Sequence, residues 1–107
     1  MILEAAVLSI TPAQKGDFER AFVEARAIIS AMPGFLSYQL QRGIETDGRY
    51  LLLVHWRSVE DHTVGFRQSP HFLRWRALIG PFFAAPAAVE HYELVSAGEP
   101  LSAGPVT

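Results

Sequence analysis

Between positions 50 and 56 the chain reads Tyr-Leu-Leu-Leu-Val-His-Trp, a dense apolar run broken only by His55. Successive side chains of an extended segment point to opposite faces. Tyr50, Leu52, Val54 and Trp56 therefore share one side, and Leu51 and Leu53 share the other with His55 and Arg57. The opening segment MILEAAVLSI repeats the pattern, with Ile2, Ala6, Leu8 and Ile10 against Leu3, Ala5 and Val7. A β-layer that is apolar on both faces must be covered on both.

The rest of the chain supplies cover for one face. Ile2 to Ile10, short and bounded by Thr11-Pro12, reads as a first strand. Thr11-Pro12-Ala13-Gln14 has the composition of a capping box with Pro at the first helical position, which predicts a helix from there. Phe18, Phe22, Ala25, Ile29 and Met32 make its apolar stripe, and Met32-Pro33-Gly34 stops it. Phe35 to Arg42 and Tyr50 to Trp56, joined by a polar turn, form a hairpin. Ser58 starts a short helix near Val59, and Ser69-Pro70 restarts it through Phe72, Trp75 and Ile79, giving one kinked arm. Gly80-Pro81 ends the arm, an apolar loop follows, and Val89 to Val95 is the last strand. The order βαββαβ predicts an α+β fold, a ferredoxin-like sandwich with an antiparallel sheet, over residues 1–95. Residues 96–107, punctuated by Gly98, Pro100, Gly104 and Pro105, read as a loose or partner-contacting tail.

Both helices of such a sandwich pack on the same sheet face, so the second apolar face calls for a partner. Burying several hundred Å2 at about 25 cal/mol per Å2 is worth roughly 10 kcal/mol before association costs. A homodimer joined through its sheets is expected. Half of the 107 residues are hydrophobic, rich for a small monomer that must clothe its whole surface. The net charge of -2, from 11 acids and 9 bases without a basic block, disfavours nucleic acid. With no cysteine there is neither disulfide framework nor thiolate chemistry. The start carries no basic leader and is far shorter than the roughly 20 residues that span a bilayer, so no membrane partner and a cytoplasmic location are expected.

No Walker loop, GxGxxG, GxSxG or HExxH occurs, and His55, His62, His71 and His91 are not spaced as a metal pair, so no metal site is expected. The second half is unusually aromatic. Trp56, Phe66, Phe72 and Trp75 are either plain core or the walls of an apolar cleft suited to a flat aromatic ligand. His62 and Arg76 are the polar candidates for its mouth: a neutral imidazole accepts a phenolic proton and a guanidinium holds the oxyanion. Arg67, Arg74, Glu60 and Asp61 read as a solvated face.

Pro33-Gly34-Phe35, the stretch Trp56-Arg57-Ser58-Val59-Glu60, Ser69-Pro70-His71-Phe72 and the closing Val89-Glu90-His91-Tyr92 resemble, in order and spacing, the antibiotic biosynthesis monooxygenase family of the dimeric α+β barrel superfamily. The resemblance covers residues 2 to 95. It implies a barrel of two sheets at a dimer interface and a pocket in each subunit between sheet and helices. It also implies oxidation of a small aromatic (phenol, anthrone or quinol) by molecular oxygen, with no cofactor. Carried over, the family's pocket Trp is Trp56 and its helical Arg is Arg76, while a family Tyr becomes His62 and a family Asn becomes Leu52. The Asn, Trp and His of the haem-degrading branch fall on Ala5, Gly65 and Trp75, so haem is not expected. The site read from the chain is thus His62 and Arg76 as catalytic groups, with Trp56, Leu52, Phe66, Phe72 and Trp75 binding substrate. A non-catalytic small-molecule-binding homodimer, or a lyase- or isomerase-like activity with a single base, are the other readings.

Overall fold

The computed structural model describes residues 1–101. Four strands, β1 (Ile2–Ser9), β2 (Phe35–Arg42), β3 (Arg49–Trp56) and β4 (Ala88–Tyr92), form one sheet in the order β2-β3-β1-β4. Every pairing is antiparallel. Helices α1 (Lys15–Ser30) and α2 (Pro70–Ile79) are the crossovers, which makes the fold the expected ferredoxin-like βαββαβ sandwich.

The alternation in β1 and β3 sorts as the sequence predicts. Ala6, Leu8, Tyr50, Leu52, Val54 and Trp56 are buried with Phe18, Phe22, Ala25 and Ile29 of α1 and Trp75 and Ile79 of α2. Phe18 is fully buried, its ring 4.8 Å from that of Tyr50. One turn into α1, Glu19 accepts from the Tyr50 hydroxyl and from Arg42, the latter at 2.7 Å, tying the helix to the hairpin. These hydrogen bonds to the ionised carboxylate hold the Glu19 pKa below its ordinary value.

On the opposite face Ala5 pairs with Leu53 and Val7 with Leu51, while Leu3 lies beside them. These five side chains are only half-buried within one chain. Exposed Gln39 and Gln41 of β2 and Glu90 of β4 flank the stripe. The face is therefore an apolar centre with a polar border, uncovered by any helix among the described residues.

Four local expectations are corrected. Thr11 makes no side-chain cap: the first turn winds as a tight 3-10 turn over Pro12–Gln14, closed by Gln14 N–H to Thr11 O at 2.8 Å, and α1 begins at Lys15. Ser58 does cap, accepting the Asp61 N–H at 3.1 Å, but the segment it starts winds as a π-helical turn over Asp61–Phe66. Ser69 donates backwards to Phe66 O at 2.7 Å instead of capping α2, because the end of that turn leaves carbonyls to be satisfied. Strand β4 stops at Tyr92, which pairs with Leu3, one residue from the end of strand β1 at Ile2, and Leu94 and Val95, beyond the ladder, are exposed. Of the expected tail, residues 96–101 form no element, and 102–107 lie outside the described residues.

Two glycines take a left-handed backbone, Gly34 and Gly48, each at φ +84. At Gly34 a Cβ would lie 2.2 Å from the Asp61 carboxylate, so glycine there lets the turn before β2 pass beneath the π turn. Replacing Phe18 by alanine is expected to cost about 3–5 kcal/mol of stability, read from urea unfolding. A loss below about 1 kcal/mol contradicts the packing described.

Candidate functional site

Between the sheet and α2 lies a cavity of about 260 Å3. Its apolar walls include Leu8 and Leu52 from the sheet, Ile29 from α1, and Phe66, Phe72 and Trp75 from the helical arm. The aromatic walls brace one another edge to face: Phe66 meets Phe72 at 5.3 Å and Trp75 at 5.8 Å. Four polar side chains reach the same space: Glu4, His62, Arg67 and Arg76.

The π turn explains how His62 arrives there. The Arg67 N–H reaches back five residues to His62 O at 2.9 Å, and within this wide turn His62 and Phe66 are both buried. Such turns widen the helix locally and recur at functional sites. His62 is 3 % exposed, its ring stacked on Trp56 with centroids 5.6 Å apart.

Glu4, 5 % exposed, sits on β1 in the row that otherwise holds Ala6 and Leu8. Its Oε1 accepts the Trp56 Nε1–H at 2.9 Å and lies 3.4 Å from His62 Nε2. His62 Nδ1 is 2.8 Å from His91 Nε2. His91 occupies β4 directly across from Glu4. The four side chains run Trp56, Glu4, His62, His91 as a line rather than converging on a point. Among the described residues no group of three or more His, Cys, Asp or Glu side chains is arranged to hold a metal ion.

Burial governs the charges of this line. It raises the Glu4 pKa above the ordinary 4.5, against smaller lowering effects of the Trp56 hydrogen bond and the Arg67 charge. It lowers the His62 pKa from 6.5 to about 4, and the charges of His91 and Arg67 push the same way. His62 is therefore a neutral imidazole near pH 7. Arg76, on the exposed side of α2, forms no ion pair with a described residue and reaches the cavity edge.

The structure brings His62, Arg76, Leu52, Phe66, Phe72 and Trp75 around one cavity. Trp56 stands elsewhere. It is fully buried behind the wall, where its N–H serves Glu4 and its ring supports His62 and Phe66, so it is placed to hold the polar groups and not to touch a ligand. Arg67, read as part of a solvated face, lines the cavity and lies 5.8 Å over the Phe72 ring. Glu4 and His91 are the residues the sequence reading missed. The lone acid in an apolar strand, at even spacing from Ala6 and Leu8, was the available signal for Glu4; His91 needs the β1-β4 register.

A family model described as antibiotic biosynthesis monooxygenase matches residues 1–78. The Bacillus subtilis (strain 168) protein YczJ is 42% identical over 93 residues, which cover 87% of this chain and 98% of YczJ. The crystal structure of a Bordetella bronchiseptica protein assigned to the antibiotic biosynthesis monooxygenases superposes with a TM-score of 0.86 at 39% identity, over 89% of this chain and 97% of that one. SnoaB of Streptomyces nogalater, a cofactor-independent oxygenase, shares the fold with a TM-score of 0.73 at 17% identity, over 90% of this chain and 94% of its own.

At pH 5.5 His62 is expected to remain neutral, as read from imidazole 15N shifts; a charged ring contradicts the buried line. A folded pKa below the unfolded one means the unfolded chain takes up the proton first as pH falls. This group's contribution to stability is accordingly lost between about 6.5 and about 4. The urea midpoint of the native protein should fall more steeply across that window than that of His62→Gln.

Proposed function

This chain belongs to the antibiotic biosynthesis monooxygenase family, and we propose that it is a cofactor-independent oxygenase of a small aromatic substrate: a phenol, anthrone or quinol. The observation that carries the reading is the cavity itself. Its walls are mostly apolar and aromatic, and its polar groups are a buried acid, a neutral imidazole and two guanidinium groups. Such a space admits a flat ring and dioxygen, sheds water, and offers positive charge where an anion forms.

An activated aromatic carries its own electrons. For an anthrone, the ring methylene and one dioxygen molecule give a ring carbonyl and one water; the methylene carbon is oxidised and dioxygen is the sole oxidant. The protein has three tasks: to bind the ring, to assist loss of a proton, and to stabilise the resulting anion before it meets oxygen. Phe66, Phe72, Trp75 and Leu52 bind the ring in this reading. His62 is the hydrogen-bond partner beside it, and Arg76 holds the anionic oxygen at the cavity edge. The likeness to SnoaB in fold supports the reaction class.

The working unit we propose is a homodimer in which the stripe Leu3, Ala5, Val7, Leu51 and Leu53 is covered by its copy. The cytoplasm is its proposed setting; among the described residues no helix is long and apolar enough to cross a membrane.

Oxygen uptake with anthrone or hydroquinone under metal-free conditions tests the activity. The native protein should exceed the buffer rate, and Arg76→Ala should lower kcat/KM by about 10²-fold. Undiminished uptake removes Arg76 from the site. Saturable quenching of tryptophan fluorescence by these aromatics, without uptake, selects the non-catalytic binding reading instead. Leu53→Glu, on the uncovered face, should convert a dimer to the 11.9 kDa monomer in light scattering; a native protein that is already monomeric at micromolar concentration contradicts the dimer.

A further inference from the structure

Among the described residues Glu4 is the one carboxylate lining the cavity, and its bond to Trp56 occupies only one of its two oxygens. Its cross-strand neighbours are Val54 and His91, and the positions after it on the same face are Ala6 and Leu8. Oε1 is occupied by the Trp56 N–H and faces His62 Nε2. Oε2 has no hydrogen-bond partner among the described residues, and Glu4 lines the cavity.

His62 is poorly placed to take a proton from a ligand. Nδ1 is engaged by His91 at 2.8 Å, and Nε2 lies 3.4 Å from Glu4 Oε1 without a hydrogen bond to it, so any proton that Nε2 meets is met beside a carboxylate. Oε2 of Glu4, on a fixed strand at the cavity, has no such neighbour among the described residues.

We infer that Glu4, through Oε2, exchanges protons with the substrate, acting first as base and then as acid. This rests on the oxygenase reading above and adds to it the residue that does the proton chemistry. In the first step the substrate C–H bond breaks, the proton goes to Oε2, and the carbanion's electron pair forms a C–O bond to dioxygen. Glu4 returns that proton to the terminal peroxide oxygen. It then removes the second C–H proton as the O–O bond breaks, and gives it to the departing hydroxide, which leaves as water. Two protons are taken and two returned, so no other donor is required.

Burial favours the neutral carboxylic acid that must hold the proton between steps. The titratable and charged groups around Glu4 are His91 from β4, His62 and Arg67 from the π turn and its end, and Arg76 from α2 at the cavity edge. Residues reaching the cavity from α1 and β3, Ile29 and Leu52, carry no charge.

Anaerobic hydrogen–deuterium exchange at the methylene of anthrone in heavy water, followed by proton NMR, isolates the first step from oxygen chemistry. The native protein should accelerate exchange over buffer, with a pH midpoint above that of an ordinary glutamate. Glu4→Gln, which preserves an acceptor for Trp56, should slow exchange by about 10²–10⁴-fold while fluorescence quenching by anthrone stays unchanged. Should that variant fail to fold, Glu4→Asp decides: withdrawing the carboxyl by one methylene should cost about 10²-fold and shift the midpoint. Exchange at the native rate in either variant, or no acceleration by the native protein, overturns the inference. Oxygen uptake is read separately. Glu4-dependent exchange without uptake keeps this role and removes the oxygenase reading, whereas uptake without Glu4-dependent exchange does the reverse.

Discussion

A carboxylate taken out of water costs several kcal/mol unless hydrogen bonds replace its hydration, and the site is organised around meeting that cost at Glu4. Trp56 is fully buried as well, and its indole N–H would be orphaned without an acceptor. The 2.9 Å bond between them satisfies both groups at once. It also pins the end of β3 to the start of β1, where the two strands pair Ile2 with Trp56. His62 then stacks on the same indole and bridges to His91, so a polar line is built inside a wall that is otherwise aromatic and aliphatic. Truncating Trp56, Glu4 or His91 takes a hydrogen-bond partner from a buried member of the line.

The π turn is the second half of that construction. With the ordinary period of 3.6 residues, a helix from Val59 would not carry the Arg67 N–H to the His62 carbonyl five residues back. The widened turn does so, and Arg67 at its end lies over the Phe72 ring at the cavity. Gly34 makes room for the turn: its lack of a side chain leaves space for Asp61 at the turn's start, and its carbonyl accepts the Arg57 N–H at 2.9 Å. A glycine at the end of the α1 connection thus helps to seat the segment that delivers His62.

Much of the fold was legible because period-2 alternation and helix punctuation are local signals. β2 falls on Phe35–Arg42 as read, β3 begins one residue early, and the sorting of Tyr50, Leu52, Val54 and Trp56 from Leu51 and Leu53 follows from the pleat. The misreadings are at ends. Thr11 and Ser69 have capping composition, yet Thr11 makes no side-chain cap and Ser69 turns its hydroxyl back to Phe66, while β4 is cut short where its neighbour ends. Composition cannot say which of several available partners a hydroxyl takes. Within the site, His62, Arg76 and the aromatic walls could be named from residue type and helical spacing. Trp56 could be named but not placed, since a tryptophan at a strand end reads alike whether its ring faces a cavity or backs one.

The chain by itself determines a two-faced apolar sheet with helices for one face, because side-chain alternation depends only on neighbours in sequence. That Glu4, His62 and His91 meet was decided by tertiary structure alone. The contact needs the strand order β3-β1-β4, the register that sets residue 4 against residue 91, and a turn wound with five-residue hydrogen bonds. Each is a long-range choice settled by packing, and none leaves a mark on the local pattern of residues.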